Sequence, residues 1–176
     1  MTHKIVPLSR DCEATEIPNG DVRILSAGTP VVITQCLGGS YTVTVGYGPL
    51  MRIDARNVDA LGFTTTLAET PADFSEQSVW EQLKAVYDPE IPVNIVDLGL
   101  IYSCKIKEDN GAHDIYIAMT MTAPGCGMSE VLKSEVERRL AGLPTVRQVN
   151  VDVVFDPPWT MQRMSEATRL QLGLDY

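Results

Sequence analysis

Residues 114–155 read DIYIAMTMTAPGCGMSEVLKSEVERRLAGLPTVRQVNVDVVF, and the spacing of apolar residues in this stretch changes twice. The segment 114–121 alternates and predicts a strand with one apolar face, formed by Ile115, Ile117, Met119 and Met121. A spacing of four then predicts a helix that begins at residue 128 or 129 and ends at residue 141. Alternation returns over 146–155 and predicts a last strand. The stretch is therefore expected to fold as strand, loop, helix and strand.

A helix is predicted before this stretch. Apolar residues recur at helical spacing between residues 79 and 86, and either Asp73 or Ser75 can cap the start of the helix. Pro89 disfavours helical geometry in the residue that precedes it. We therefore expect this helix to end near residue 88.

A strand and a short final helix complete the second half of the chain. Residues 101–107 read as a strand, and the turn signal Asp109-Asn110-Gly111 joins it to the strand 114–121 as an antiparallel hairpin. Residues 156–159 break the last strand, and Thr160 can cap a short helix after them. The order helix, hairpin, helix, strand predicts an α+β sandwich with its helices on one face of the sheet.

The first half of the chain reads as β structure. Short runs of β-branched and aromatic residues fill residues 21–61, and Gly38-Gly39 between two of them indicates a hairpin. These features predict a small all-β domain, either a barrel or a sandwich. A linker follows, because Gly62, three threonines and Pro71 interrupt the pattern. We expect a β domain at 1–63, a linker at 64–74 and the α+β domain at 75–176.

Composition excludes several classes of function. The chain has 176 residues and a net charge of −9, which disfavours binding to nucleic acid and to an anionic membrane surface. It has no apolar run of the roughly 18 residues that a membrane span needs. The start, residues 1–7, lacks the apolar stretch of a signal peptide. These features predict a cytoplasmic protein whose thiols stay reduced.

Cys126 is the strongest candidate for a reactive residue. Small neighbours on both sides, Gly125 and Gly127, leave room for a ligand, and a helix is predicted to begin directly afterwards. The positive end of that helix would favour the thiolate, the form that binds soft metals and iron–sulfur clusters. A small buried side chain in a turn is the alternative explanation.

The other cysteines are weaker candidates because they form no C-x-x-C pair. Cys104 is expected to face the core, Cys36 to be structural and Cys12 to be exposed. His113 lies beside a predicted turn and is expected to be exposed. A Cys–His pair would require His113 to fold back onto Cys126.

Two carboxylates and a tryptophan need separate consideration. Asp88 and Glu90 could bind a metal or act as acid and base, but acids after a helix more often form turns. Asp97 is most simply explained by an Asx-type turn. Trp159 is either a contact for a partner protein or a lid on the core.

Three segments in a fixed order resemble the metal–sulfur cluster biosynthesis family, which includes the SufT-type proteins. They are DPEIPVNIVDLGLIY at 88–102, TAPGC at 122–126 and DPPWT at 156–160. The similarity covers about residues 75 to 165, and three ordered motifs are far more specific than one. The N-terminal β region is similar to the extension of SufT-type proteins.

The resemblance implies a factor that matures iron–sulfur proteins together with scaffold or carrier proteins and client apoproteins. It implies a compact α+β domain and marks Cys126 as the reactive cysteine, which either is a ligand of a transient iron–sulfur cluster or takes part only in a transfer complex. Six other motif positions come with it: Asp88, Glu90, Asp97, Thr122, Pro124 and Gly125. A cluster normally uses four thiolates, so further ligands would come from a homodimer, a small thiol or a partner.

Two other functions stay open. One is a thiol-dependent redox or transfer enzyme with Cys126 as nucleophile, although no resolving cysteine stands close in sequence. The other is a non-catalytic adaptor or oxygenase-assembly protein that docks partners through Trp159. Relatives of the oxygenase-assembly type often carry a further cysteine-rich segment, and no cysteine follows Cys126 here.

Overall fold

The structure, a computed structural model, describes residues 4–64, 72–123 and 127–174. The chain divides into two compact units, one of residues 1–69 and one of residues 70–176. Strands dominate the first unit, and the second combines helices with strands, which confirms the predicted α+β class. The predicted linker, residues 64–74, lies mostly outside the described ranges, so that assignment stays a prediction.

The first unit is built on six antiparallel strands in the order β1-β4-β5-β6-β2-β3. The strands are β1 (Lys4–Pro7), β2 (Cys12–Glu16), β3 (Val22–Leu25), β4 (Pro30–Leu37), β5 (Ser40–Thr44) and β6 (Leu50–Ile53). The predicted Gly38-Gly39 turn joins β4 to β5. Two strands, β1 and β2, lie before residue 21, where the sequence predicts none. A 3-10 helix, Ala55–Leu61, follows β6 and adds Ala60 and Leu61 to the core.

Two cysteines of the first unit lie in surroundings that differ from the expected ones. Cys12 is only 1% exposed, so the prediction of an exposed residue is wrong. It alternates with Glu13 along β2 and faces the core together with Ala14. Cys36 is exposed instead, near the end of β4 and two residues before Gly38.

The second unit has a three-stranded sheet in the order β7-β8-β9. Its elements are α1 (Glu76–Lys84), β7 (Ile101–Asp109), β8 (Ala112–Met119), α2 (Ser129–Ala141), β9 (Val146–Val153) and α3 (Glu166–Leu172). The central strand β8 pairs antiparallel with β7 and parallel with β9, and α2 makes the crossover. The predicted order of elements is confirmed.

The predicted apolar faces of the second unit form its core. On β8, Ile115, Ile117 and Met119 are no more than 2% exposed. The predicted stripe of α2 is buried to the same degree, and its members are Met128, Leu132, Val136 and Leu140. Val79 and Leu83 of α1 join the same core. Two helices therefore cover one face of the sheet, as the pattern predicts.

Two predicted helix boundaries are wrong. Helix α1 ends at Lys84 rather than near residue 88, because the backbone after it pairs with residues 94 and 95 through the bridge between Tyr87 and Asn94. Thr160 makes no side-chain cap; Ser165 caps α3 instead, and its Oγ accepts a hydrogen bond from the N–H of Thr168 at 3.2 Å. Within the described ranges, no helix has the length and hydropathy that crossing a membrane requires.

Candidate functional site

Asp88 organises the start of the first motif segment, residues 88–102. It is 7% exposed, and its Oδ1 accepts hydrogen bonds from the N–H groups of Glu90 and Ile91, both at 2.8 Å. The N–H of Asp88 donates to the carbonyl oxygen of Val93 at 3.0 Å. The Asp88 carboxylate thus holds a tight turn, whereas the Glu90 side chain is exposed.

Asn94 and Asp97 form a reciprocal pair in the next turn of the same segment. Asn94 Oδ1 accepts hydrogen bonds from the N–H groups of Val96 at 3.1 Å and Asp97 at 2.9 Å. Asn94 Nδ2 donates to Asp97 Oδ2 at 2.6 Å. The Asx turn is therefore made by Asn94, and Asp97 fixes the orientation of the Asn94 amide.

Gly99 permits a close contact between the first motif segment and the chain after the closing motif. Its φ is +69°, and a Cβ there would lie 2.8 Å from the Cβ of Arg163 and 2.6 Å from its carbonyl carbon. Arg163 Nε donates to the carbonyl oxygen of Gly99 at 3.3 Å. The guanidinium of Arg163 also lies 4.0 Å from the ring centroid of Tyr102, whose hydroxyl donates to the carbonyl oxygen of Pro157 at 2.7 Å.

Trp159 and Ser165 complete the contact between these segments. Trp159 Nε1 donates to the carbonyl oxygen of Leu98 at 2.8 Å, and the N–H of Ser165 donates to the carbonyl oxygen of Asp97 at 2.9 Å. The half-buried indole of Trp159 also packs against the core of the second unit. Its suggested role as a partner contact stays a prediction, and the structure adds an internal role.

The cysteine loop begins beside these segments. The N–H of Thr120 donates to the carbonyl oxygen of Leu100 at 2.9 Å, and the N–H of Val154 donates to the carbonyl oxygen of Met119 at 2.8 Å. The end of β8 is thus bound to the first motif segment on one side and to the chain before the closing motif on the other. The first motif segment and the chain that leads into the closing motif therefore meet at the end of β8, directly before the cysteine loop.

The described residues on both sides of the cysteine loop are anchored in the protein. Met121 before the loop is 3% exposed, and Met128 after it is fully buried. Thr122 is half-buried. The other candidate site residues of the loop, Pro124, Gly125 and Cys126, lie outside the described residues.

Two of the described cysteines, Cys12 and Cys104, are poor candidates for thiolate chemistry. Burial, with a smaller effect of Glu76, raises the pKa of the Cys104 thiol to about 11. Burial also raises the pKa of Cys12. In both cases burial disfavours the thiolate, the form that binds metals and clusters.

His113 is engaged far from the start of the cysteine loop. Its ring stacks on Phe74 with centroids 3.6 Å apart, and its Nδ1 lies 2.9 Å from Thr145 Oγ1. It is half-buried near the start of β8, about 20 Å along the strand from Met119 at about 3.3 Å per residue. This position gives no support to a Cys–His pair. Among the described residues, no group of three or more His, Cys, Asp or Glu side chains could hold a metal ion.

Residues that the sequence did not single out contribute much of this arrangement. Asn94, Tyr102 and Arg163 each make contacts that join or shape the motif segments. Asn94 precedes Asp97 by three residues, a spacing that can indicate a reciprocal side-chain turn. Arg163 had no such local signal, because its partners are about 60 residues away in the chain.

This arrangement, a small α+β unit whose first and closing motif segments meet directly before a cysteine loop, defines the class of protein. The family model described as iron–sulfur cluster assembly protein matches residues 76–153, within the second unit. YitW of Bacillus subtilis, an Fe-S protein maturation auxiliary factor, is 38% identical over 99 residues, which are 56% of this chain and 94% of that protein. The chain belongs to the iron–sulfur cluster assembly protein family.

Two further similarities cover about the same share of the chain. The Fe-S protein maturation auxiliary factor SufT of Staphylococcus aureus is 36% identical over 89 residues, 51% of this chain and 98% of that protein. The crystal structure of a DUF59 domain from Bacillus anthracis matches with a TM-score of 0.50 and 39% identity, over 57% of this chain and 92% of that one. These matches confirm the family that the three motifs indicate.

Proposed function

We propose that this protein is an assembly or carrier factor for the maturation of iron–sulfur proteins and that the Cys126 thiolate is its reactive group. Similar proteins are named maturation auxiliary factors, so the proposed role is accessory rather than enzymatic. The partners are iron–sulfur scaffold or carrier proteins and client apoproteins of the cytoplasm. A cluster, where one is held, is cargo in transit.

The meeting of the first and closing motif segments directly before the cysteine loop is the observation that carries this proposal. The hydrogen bonds of Thr120, Val154 and Trp159 join segments that are up to about 60 residues apart in sequence. A precise frame of this kind is costly to build around an inert turn, and it is useful for presenting a reactive group in one geometry.

The start of α2 adds electrostatic support. Met128 occupies the N-cap position and makes no side-chain hydrogen bond to the first turn. The first N–H groups of a helix carry partial positive charge and stabilise a nearby anion. Cys126 stands three residues before Ser129, the first residue of this 13-residue helix, and this chain position supports the proposed thiolate.

A single thiolate limits what Cys126 can do by itself. Clusters normally use four thiolates, burial raises the pKa of the Cys12 and Cys104 thiols, and no other cysteine stands near Cys126 in sequence. Cargo at Cys126 therefore needs ligands from a second copy, a small thiol or the partner that receives it. This requirement favours brief carriage or a transfer complex over permanent storage.

The proposal is tested by anaerobic reconstitution with iron and sulfide, followed by absorption spectroscopy. We expect the wild-type protein to develop a cluster absorption band and Cys126→Ser to lose it. Cys36→Ser is the matched control, because Cys36 is an exposed free cysteine among the described residues. This variant should leave the band unchanged. Circular dichroism of both variants checks that the fold is intact.

A cellular assay separates the proposed role from that of an adaptor. Cells that carry Cys126→Ser should accumulate inactive iron–sulfur client enzymes, and normal client activity in those cells would refute the proposed role. Trp159→Phe keeps most of the aromatic volume and removes the N–H whose hydrogen bond the carbonyl oxygen of Leu98 accepts. If Trp159→Phe abolished maturation while Cys126→Ser were silent, docking rather than cysteine chemistry would be the function.

A further inference from the structure

Residues 24–51 form a run of 28 residues without Asp, Glu, Lys, Arg or His. Charged residues make up 21% of the whole chain, and its net charge is −9. The run supplies all of β4 and β5 and the first two residues of β6. The first unit therefore carries an uncharged surface in a strongly acidic protein.

The strand register places much of this run on the sheet face opposite the core. Ile5 pairs with Val32, Val32 with Thr44, and Thr44 with Leu50, which makes one continuous row across β1, β4, β5 and β6. The next row toward the strand ends pairs Pro7 with Pro30. The alternate residues face the core instead and are buried, namely Val31, Val43 and Met51.

Together with Tyr47, which lies in the turn between Thr44 and Leu50, these six residues form what we call the neutral patch. Its seven members are Ile5, Pro7, Pro30, Val32, Thr44, Tyr47 and Leu50. Ile5 is 67% exposed, Leu50 is 44% exposed and Tyr47 is exposed as fully as an isolated tyrosine, at 112%. Single exposed apolar residues are ordinary on protein surfaces, whereas a contiguous uncharged group of several residues is a surface on which a partner can dock.

We propose that the neutral patch is a self-association surface, on which a second copy of this chain docks in a two-fold symmetric dimer. The net charge of −9 makes whole copies of the chain repel one another, whereas an uncharged apolar patch adds no repulsion and is complementary to itself. A symmetric interface requires this self-complementarity, because the same patch is present on both copies. The proposal does not rest on the role of Cys126.

The edge strand and the available area indicate the kind of contact. Pro7 lies on the edge strand β1 and has no N–H to donate, which disfavours addition of another strand at that edge. Because the neutral patch lies on the face of the sheet and β1 disfavours strand addition beside it, the proposed contact is face to face. A fully exposed tyrosine offers about 200 Å², and with the other members the patch offers on the order of 500 Å². A standard interface uses about 800 Å² per partner, so we expect a reversible dimer rather than an obligate one.

The test is sedimentation equilibrium of the full chain over a range of micromolar concentrations. We expect the wild-type mass to rise from one chain toward two, and Leu50→Glu and Tyr47→Glu to raise the dissociation constant at least tenfold. Tyr47 is fully exposed in a turn, so that substitution is not expected to disturb the fold. The matched control is Leu170→Glu, which places the same charge at a residue 60% exposed in the second unit and should behave as wild type.

Added salt gives a second readout. Because the proposed contact contains no ion pairs and the copies repel through their net charge, salt should strengthen the dimer. A wild-type protein that stays monomeric at every concentration would overturn the proposal. The neutral patch would then be a candidate surface for binding a different protein. A dimer that both patch variants leave intact, or that Leu170→Glu weakens equally, would overturn it as well.

Discussion

Replacing Gly99 by alanine should destabilise the second unit by roughly 3–5 kcal/mol, far more than an ordinary glycine substitution. Gly99 has a φ of +69°, and an alanine Cβ would come within 2.6 Å of the carbonyl carbon of Arg163 and closer still to its oxygen. Backbone atoms cannot rotate away as a flexible side chain can. The chain around Arg163 must therefore move.

The expected loss has two parts. An alanine at positive φ costs about 1–2 kcal/mol by itself. Movement of the chain around Arg163 also strains two hydrogen bonds, from Trp159 to Leu98 at 2.8 Å and from Ser165 to Asp97 at 2.9 Å. Each hydrogen bond contributes about 1 kcal/mol to stability. The loss is larger at Leu98, which is fully buried, because its carbonyl oxygen would be left without a donor. The sum gives the predicted range.

The chain offers a control that separates these two parts. Gly111 has a φ of +79°, and a Cβ added there would have no atom within 4 Å, so Gly111→Ala should lose only about 1–2 kcal/mol. The assay is urea unfolding followed by tryptophan fluorescence, because both tryptophans, Trp80 and Trp159, belong to the second unit. If Gly99→Ala lost no more stability than Gly111→Ala, the close contact would contribute nothing and the reasoning would be wrong.

Two further predictions concern ionisable groups of the second unit. The hydrogen bond from Arg147 lowers the pKa of Asp114 below its ordinary value of 3.8, so the carboxylate adds stability above that pH and loses it as the pH falls through the folded value. Arg147→Gln should therefore flatten the decline of the urea midpoint below about pH 4, and an unchanged decline would contradict the assignment. Cys104, with its pKa raised from 9.0 to about 11, should react with iodoacetamide about a hundredfold more slowly at pH 8 than an ordinary thiol. Peptide mapping by mass spectrometry checks this rate, and equal labelling of Cys104 and Cys36 in the native protein would contradict it.

The periodic elements of the second unit could be predicted from the sequence because their apolar spacing is set by the geometry of one element. The stripe of α2 and the alternating face of β8 are both buried as predicted. Helix α1 ends before residue 88, and the spacing of its own apolar residues does not indicate this end. The backbone near Tyr87 pairs with Asn94, and that choice depends on how residues 88–93 turn.

In the first unit, the burial of β2 could not be predicted from the sequence either. Strand β2 has only five residues, and its alternation is carried by Cys12, Ala14 and Glu16, two of which are weak strand formers. Their burial is imposed by pairing with β3 and β6 rather than by residue preference. For this reason Cys12 reads as exposed in the sequence and lies in the core of the structure.

The motif residues in the second unit were predictable as a group, but not by role. Asp88 Oδ1, Asp97 Oδ2 and the Trp159 N–H each make a hydrogen bond within the chain, so these groups shape the frame of the cysteine loop. A frame that uses its polar atoms internally has few left to offer a cluster. The remaining ligands for cargo at Cys126 would then come from outside the single chain, and a dimer held by the neutral patch would bring a second Cys126 into the same particle. The two proposals are independent in their evidence. Two copies of Cys126 are half of the four thiolates that a cluster normally uses, so a small thiol or a partner protein would supply the others.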